Sequence, residues 1–194
     1  MKKSIPLWLC ICLLPFANVA LAQSVAQSGY MSGDFSAFHG NGNTLVNAVA
    51  MVEQATGGKV IDIRFSSSNG MPAYDAVVVK GTQIQFFHAE ERSKHVVELD
   101  ASSKPAYMLN WRGKSDVHFA QTASVSLSAA IKTAEDSQNG SPAMAAGIAR
   151  SASNPESDVH AYNVLLNRAG NLKRVSVDSS TGQVISDPSA LSGF

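Results

Sequence analysis

In three places in this chain a histidine lies two positions from a carboxylate, a spacing that could bind a metal ion. The pairs are His88 with Glu90, Asp116 with His118, and Asp158 with His160. On a strand, residues two apart lie on one face, where an imidazole and a carboxylate can bind a metal ion together. A solvated strand edge has the same pattern, and we favour that interpretation. We therefore predict no metal site and keep metal binding as the alternative.

No local motif of an enzyme accompanies these pairs. The sequence contains neither Gly-x-Ser-x-Gly nor His-Glu-x-x-His, and it has no glycine-rich loop suited to a phosphate. Serine, histidine and aspartate are all present, but no local spacing favours a catalytic triad. We therefore predict that the protein is not an enzyme and needs no cofactor. The alternative is a secreted hydrolase without a recognisable motif.

An aromatic connector, residues 101–124, is the candidate surface for a partner. It contains Tyr107, Trp111 and Phe119, and Trp111 is the only tryptophan after the first 22 residues. Large aromatic side chains contribute much of the binding energy at protein interfaces. The composition also fits an ordered connector that packs between two structural units, and we favour that role. The same three residues remain the predicted binding residues if the connector is exposed.

Residues 1–22 have the pattern of a signal peptide. A basic start is followed by an apolar run over residues 7–14, too short to span a bilayer, and then by Ala20-Leu21-Ala22, which signal peptidase can recognise. Cleavage there would leave Gln23 as the first residue, where a lipid anchor would need a cysteine. We therefore expect a periplasmic or secreted bacterial protein that has no membrane span after signal removal.

The positions of the cysteines and the net charge of the mature chain argue against several kinds of site and ligand. Cys10 and Cys12 both lie within the signal, so we expect no disulfide and no thiolate metal site in the mature chain. The full chain has 15 basic and 15 acidic residues, and loss of Lys2 and Lys3 leaves 13 against 15, a net charge near −2. That balance, without a basic cluster, disfavours binding to nucleic acid.

The elements that must position these residues recur in two halves. Residues 44–58 and 126–140 match at a constant offset of 82 residues. In both, apolar residues recur at i, i+3, i+4 and i+7, which is one face of an α-helix. Thr44 and Ser126 are suited to cap the helix N-termini. The faces predicted to be buried consist of Leu45, Ala48, Val49, Val52, Leu127, Ala130, Ile131 and Ala134.

After each predicted helix the periodicity changes from 3.6 to 2, which is typical of strands. The predicted strands are 60–65, 73–80, 83–89 and 95–99 in the first half, and 144–150, 162–166 and 175–178 in the second. We therefore predict an α+β protein with two units, residues 43–100 and 125–188, each with one helix packed on a small antiparallel sheet. Residues 23–42 are expected to form a flexible lead and residues 189–194 a tail.

The second unit resembles a PepSY domain. The resemblance is carried by Tyr162-Asn163-Val164, by Val177-Asp178 and by Thr181-Gly182-Gln183-Val184, which match the family's Tyr-x-Val strand and its V-D-x-x-T-G-x-V ending. Asp178 can cap the turn with its side chain, and Gly182 can take a positive φ before the chain returns. In the first unit Lys94 stands in place of the glycine, so we expect that turn to differ or to be longer.

The resemblance implies a tandem PepSY-like protein, similar in shape to cystatins, whose N-terminal copy is degenerate. PepSY domains are small non-catalytic modules that are thought to restrain peptidases or to bind other envelope proteins. The resemblance thus implies a module that binds a protein or peptide, with restraint of a peptidase as the specific version. Pairing at an exposed strand edge would be the mechanism. A small-ligand or metal-binding envelope protein is the alternative function.

Overall fold

The secondary structure alternates helices with antiparallel strands. A computed structural model describes residue 38 and residues 44–68, 70–100, 113–151, 161–168, 170–185 and 191–192. The described helices are α1 (Leu45–Thr56), α2 (Lys114–Thr122) and α3 (Leu127–Ser137). The described strands are β1 (Lys59–Ser68), β2 (Met71–Lys80), β3 (Gln83–Glu90), β4 (His95–Glu98), β5 (Ala143–Ile148), β6 (Arg150–Ser151), β7 (Ala161–Arg168), β8 (Asn171–Asp178) and β9 (Leu191–Ser192).

Helices α1 and α3 begin where a side chain can satisfy a free backbone donor. The Thr44 hydroxyl accepts the N–H of Asn47 at 3.3 Å, and the Ser126 hydroxyl accepts that of Ala129 at 3.2 Å. The predicted inward faces of both helices are confirmed as buried. Their buried residues are Leu45, Ala48, Val49 and Val52 in α1, and Leu127, Ala130, Ile131 and Ala134 in α3.

Seven strands form one antiparallel sheet with the order β4-β3-β2-β1-β5-β7-β8. The two halves meet at its centre, where β1 pairs with β5 and places Asp62 opposite Gly147 and Ile63 opposite Ala146. The prediction of two small helix-on-sheet units is therefore wrong. The physical reason is that a unit of about 60 residues buries little core, and pairing β1 with β5 also removes two open strand edges.

Helices α1 and α3 contact each other and cover the same face of this sheet, which we call the helix side. Each half buries a tyrosine there, Tyr74 on β2 and Tyr162 on β7, and each packs edge-on against a phenylalanine ring. A glutamate near the end of each helix also accepts the backbone N–H at the start of the next strand. The oxygen is Glu53 Oε1 for Val60, at 3.1 Å, and Glu135 Oε1 for Ala143, at 2.9 Å.

The two turns that follow β3 and β8 have the same construction. After β8, Asp178 Oδ1 accepts the N–H of Thr181 at 2.7 Å, and Gly182 has a φ of +73°. Thr181 Oγ1 donates to Asp178 Oδ1 at 2.9 Å and accepts the N–H of Gln183 at 3.3 Å. Asp178 and Gln183 are also joined through their backbones, so that four residues separate them.

In the turn after β3, Ser93 takes the place of Thr181. Its hydroxyl donates to Glu90 Oε2 at 2.9 Å and accepts the N–H of His95 at 3.3 Å. Glu90 pairs with His95, so four residues again separate the paired positions, and Lys94 has a φ of +56°. The expectation that this turn would differ or be longer is wrong, because lysine occupies the left-handed conformation there at a steric cost that glycine avoids.

Gly147 lies where β1 and β5 approach, and a Cβ atom added to it would overlap the Asp62 carboxylate. We predict that Gly147→Ala lowers the free energy of unfolding by about 1–3 kcal/mol, the range typical of overpacking. In an Asp62→Ala background, the same substitution should cost much less, because the overlapping atoms are gone. Urea unfolding of the four proteins of this cycle measures the coupling. Equal costs in the two backgrounds would contradict the proposed close approach.

The positive φ at the two equivalent turns gives a second prediction. We expect Gly182→Val to destabilise the protein by about 1–2 kcal/mol, whereas Ser180→Val, two residues away in the same turn, should cost less. Lys94→Gly should instead stabilise by about 0.5 kcal/mol, because relief of strain exceeds the entropy that glycine loses on folding. Melting curves of the three variants test this. A loss of stability in Lys94→Gly would count against the equivalence of the turns.

Candidate functional site

The structure places one residue of the predicted aromatic patch in the core. The Phe119 ring, on α2, is 7% exposed and packs edge-on against Tyr162 with 5.1 Å between ring centroids. Phe119 therefore holds α2 against the sheet and presents almost no surface to a partner. Tyr107 and Trp111 lie outside the described residues, and their role in binding stays a prediction.

Neither of the two histidine and carboxylate pairs that the structure describes forms a joint site. His88 donates from Nδ1 to Asp75 Oδ1 at 2.7 Å, across the β2–β3 pair, rather than binding Glu90. Asp116 is buried on α2 whereas His118 is exposed, so they lie on different faces of that helix. The third pair, Asp158 and His160, lies outside the described residues. Within the described ranges, no group of three or more His, Cys, Asp or Glu side chains is arranged for a metal ion.

The pair formed by His88 and Asp75 belongs to a row of charged side chains on the face opposite the helices. Asp75 lies between His88 on β3 and Arg64 on β1, and Arg64 Nε lies 3.6 Å from Asp62 Oδ1. The hydrogen bond that His88 donates to Asp75 raises the pKa of His88 more than burial lowers it, and the Glu90 carboxylate raises that pKa further. Because the charges alternate in sign, the row stabilises strand pairing and has no net preference for an anion or a cation.

At both ends of the sheet, the chain that follows the turn returns along the strand before it. At β8, the chain beyond the turn folds back, and Ile185 donates its N–H to the Ser176 carbonyl at 2.8 Å. At β4, Leu99 donates its N–H to the Phe86 carbonyl at 2.7 Å, so alternate residues point their backbone groups towards β3. The N–H and C=O groups of Val96 and Glu98 therefore point away from the sheet. Among the described residues, no strand pairs with this outer edge.

A groove of about 440 Å³ lies between α1 and Lys94, the turn residue that immediately precedes β4. Its described lining residues are Asn47, Ala50, Met51, Gln54, Ala55 and Lys94. A second pocket, of about 310 Å³, lies by the same turn. Its described lining residues are Met71, Pro72, Ala73, Glu90, Arg92 and Ser93. The open edge of β4 and the groove together form the candidate site.

The apolar spacing of α1 predicted only the buried face of this helix, whereas the candidate site lies on the opposite face. That outward face carries Asn47, Ala50, Met51 and Gln54, without a charged residue among them. Solvent-facing helix surfaces usually carry charged side chains, so an uncharged outward face next to a strand edge is the available signal. The edge itself could not be foreseen, because strand order depends on contacts between distant segments.

Comparisons with known proteins do not identify the chain. No family model matches it, and no curated protein matches it. Among solved structures, a predicted lipoprotein from Clostridium difficile aligns with a TM-score of 0.37 and 14% identity, over 74% of this chain and 90% of that chain. A similarity of that size supports no conclusion on fold or function, so the PepSY resemblance remains a prediction. In the described parts of the chain, no helix has the length and hydrophobicity needed to cross a membrane.

The hydrogen bond between His88 and Asp75 predicts a dependence of stability on pH. Since the folded protein raises the pKa of His88 above its ordinary value of about 6.5, the protonated histidine stabilises the fold below that pH. This contribution is lost as the pH rises through the folded-state pKa. Wild type should therefore exceed His88→Asn in stability by more at pH 5.5 than at pH 9.

Chemical denaturation at the two pH values measures that difference. Asp75→Asn is the matched control. It removes the carboxylate that stabilises protonated His88, so it should abolish most of the same pH dependence. A stability difference between wild type and His88→Asn that stays constant across this range would contradict the prediction.

Proposed function

We propose that this protein is an exported, non-catalytic module that binds an extended segment of another protein by adding it to β4 as a further strand. The observation that carries the proposal is the outer edge of β4, where the N–H and C=O groups of Val96 and Glu98 point away from the sheet. An edge strand of this kind is a template for pairing with another chain. The signal-peptide pattern of residues 1–22 supports export to the periplasm or the medium.

The number of available hydrogen bonds limits how tightly the edge alone can bind. Two residues offer four backbone groups, and each new hydrogen bond contributes about 1 kcal/mol net. Even before the cost of association is subtracted, four bonds correspond to a dissociation constant no tighter than about 1 mM. Tighter binding must come from side chains of the bound segment, and the groove beside β4 is where such side chains would lie.

Restraint of a secreted or periplasmic peptidase is the specific version of this proposal. Its support is the PepSY resemblance, to which the turn after β3 now adds, since Ser93 and Lys94 take the places of Thr181 and Gly182. A protein that binds its partner along a strand edge needs no catalytic residue. The partner would supply an extended segment of about four residues, the length of β4.

Small-ligand binding is the second candidate function, and it rests on a different feature. The pocket of about 310 Å³ beside the β3–β4 turn has a volume at the lower end of the range for small-molecule sites. Its described lining combines the apolar Met71, Pro72 and Ala73 with the charged Glu90 and Arg92. Such a ligand would bind without involving the outer edge of β4.

The strand-addition proposal predicts the effect of removing one outward N–H group. Glu98→Pro deletes the backbone donor that faces away from the sheet and leaves the hydrogen bonds between β4 and β3 in place. We expect it to weaken binding of an extended peptide at least tenfold. Glu98→Thr, which also removes the carboxylate but keeps the N–H, should weaken binding by no more than about threefold, the loss expected for one exposed ion pair.

Peptides selected from a displayed random library against residues 23–194 are suitable ligands, with affinity measured by fluorescence anisotropy. Melting curves of both variants establish that each is folded. The proposal fails if the library yields no binder, or if the selected peptides bind Glu98→Pro as tightly as wild type.

A further inference from the structure

The groove beside β4 lies on the side where half of an added strand's side chains would point. Val96 and Glu98 pair with Ala89 and Phe87, two buried core residues, so both of their side chains project to the helix side. Val96 is itself partly buried against the core. In a strand added at β4, the residues opposite Val96 and Glu98 would project to the same side, towards α1. Every second side chain of a bound segment would therefore project to the side of the sheet on which the groove lies.

The lining of the groove indicates which side chain fits at its middle. Ala50, Met51 and Ala55 present small or flexible apolar surfaces, and the amides of Asn47 and Gln54 flank them on α1. Methionine adapts its shape to an apolar partner, and the alanines leave room beside it. An unbranched or γ-branched apolar side chain, such as leucine or methionine, matches this surface opposite Val96.

Charges at the two ends of β4 have opposite signs. Lys94 immediately precedes the strand and lines the groove, whereas Glu98 is the last residue of the strand. Val96 and Glu98 share one face of β4, and Lys94, in the turn before β4, lines the groove on that same side, so one face of an added strand would meet all three. A segment with a carboxylate at one end and a cationic side chain at the other is complementary to this pattern in one direction only.

The direction follows from the pairing of the sheet. Every adjacent pair in it is antiparallel, and an antiparallel segment at β4 ends next to Lys94. We infer that the β4 edge recognises an extended segment that runs antiparallel to β4, with a cationic residue opposite Glu98, an apolar residue opposite Val96 and a carboxylate beside Lys94. This inference rests on the proposed function and specifies the chemistry of the partner.

Short peptides with blocked termini test the inference directly. Ac-Lys-Thr-Leu-Thr-Asp-NH2 places its lysine, leucine and aspartate on one face of a strand, and Ac-Lys-Thr-Leu-Thr-Lys-NH2 changes only the C-terminal charge. Because the affinities are expected in the millimolar range, chemical-shift titration of the isotope-labelled protein is the measurement. Wild type should bind the Asp peptide about threefold to tenfold more tightly at low salt, and less selectively at high salt.

Charge reversal at one residue should invert that preference. In Lys94→Glu, glutamate should adopt the positive φ at about the same conformational cost as lysine, so the variant should fold. It should bind the Lys peptide more tightly than the Asp peptide. Lys132→Glu, an exposed residue on α3, is the control for net charge and should retain the wild-type preference. The reversed peptide Ac-Asp-Thr-Leu-Thr-Lys-NH2 should bind wild type more weakly than the Asp peptide, as the inferred direction requires.

Two different failures can be told apart. If library-selected peptides lose binding in Glu98→Pro but Lys94→Glu leaves the Asp-over-Lys preference unchanged, strand addition stands and the inferred charge pattern is overturned. The pattern is likewise overturned if wild type shows no preference between the Asp and Lys peptides. If Glu98→Pro changes the binding of no peptide, the proposed function fails, and with it the inference.

Discussion

The antiparallel pairing of β1 with β5 is the interaction on which the rest of this structure depends. It converts two short sets of strands into one sheet of seven described strands, in which β4 and β8 are the outermost. The pairing requires a residue without a side chain at Gly147, because the Asp62 carboxylate occupies the space that a Cβ atom would fill. Next to Gly147 along β5, the small side chains of Ala145 and Ala146 also allow close packing at the centre.

A second set of interactions ties each helix to the sheet in the same way in both halves. Glu53 and Glu135 each accept a backbone N–H from the first residues of the following strand. Such charge-assisted hydrogen bonds fix where the strand starts relative to the helix. Burial raises the pKa of Glu135, and the hydrogen bond from the Ala143 N–H opposes that shift. The hydrogen bond of Glu53 thus fixes β1 relative to α1, and the pairing of β1 with β2, β3 and β4 in turn positions the edge of β4.

The candidate site follows from the length of the chain that returns after each turn. Beyond the turn after β8, the returning chain makes a single bridge among the described residues, from Val184 to Val177. After the first turn, the returning chain is β4, a strand of four residues with its outer groups directed away from β3. The longer of the two returning segments thus lies next to Lys94, which lines the groove of α1.

Local sequence patterns by themselves determined the main strands of the sheet, helices α1 and α3 and the buried faces of these two helices, but they did not indicate α2, which lies within the predicted aromatic connector. Apolar spacing identified the core residues of α1 and α3, and Thr44 and Ser126 marked their starts, because these signals involve residues within one helical turn. The match of residues 178–182 to the PepSY turn pattern likewise rests on a few adjacent residues, and it predicted a turn there. It did not reveal that Lys94 adopts the same conformation as Gly182, since lysine has no local preference for a positive φ.

Only the tertiary structure decided that the two halves share one sheet, that Asp75 binds His88, and that β4 is left at an edge. The physical reason is common to all three. Strand order and register depend on contacts between residues distant in the sequence, such as Asp62 and Gly147, and many alternative pairings satisfy the same alternation of apolar and polar residues. Packing of the whole core selects among those pairings, and that selection places a free strand edge beside an uncharged face of α1.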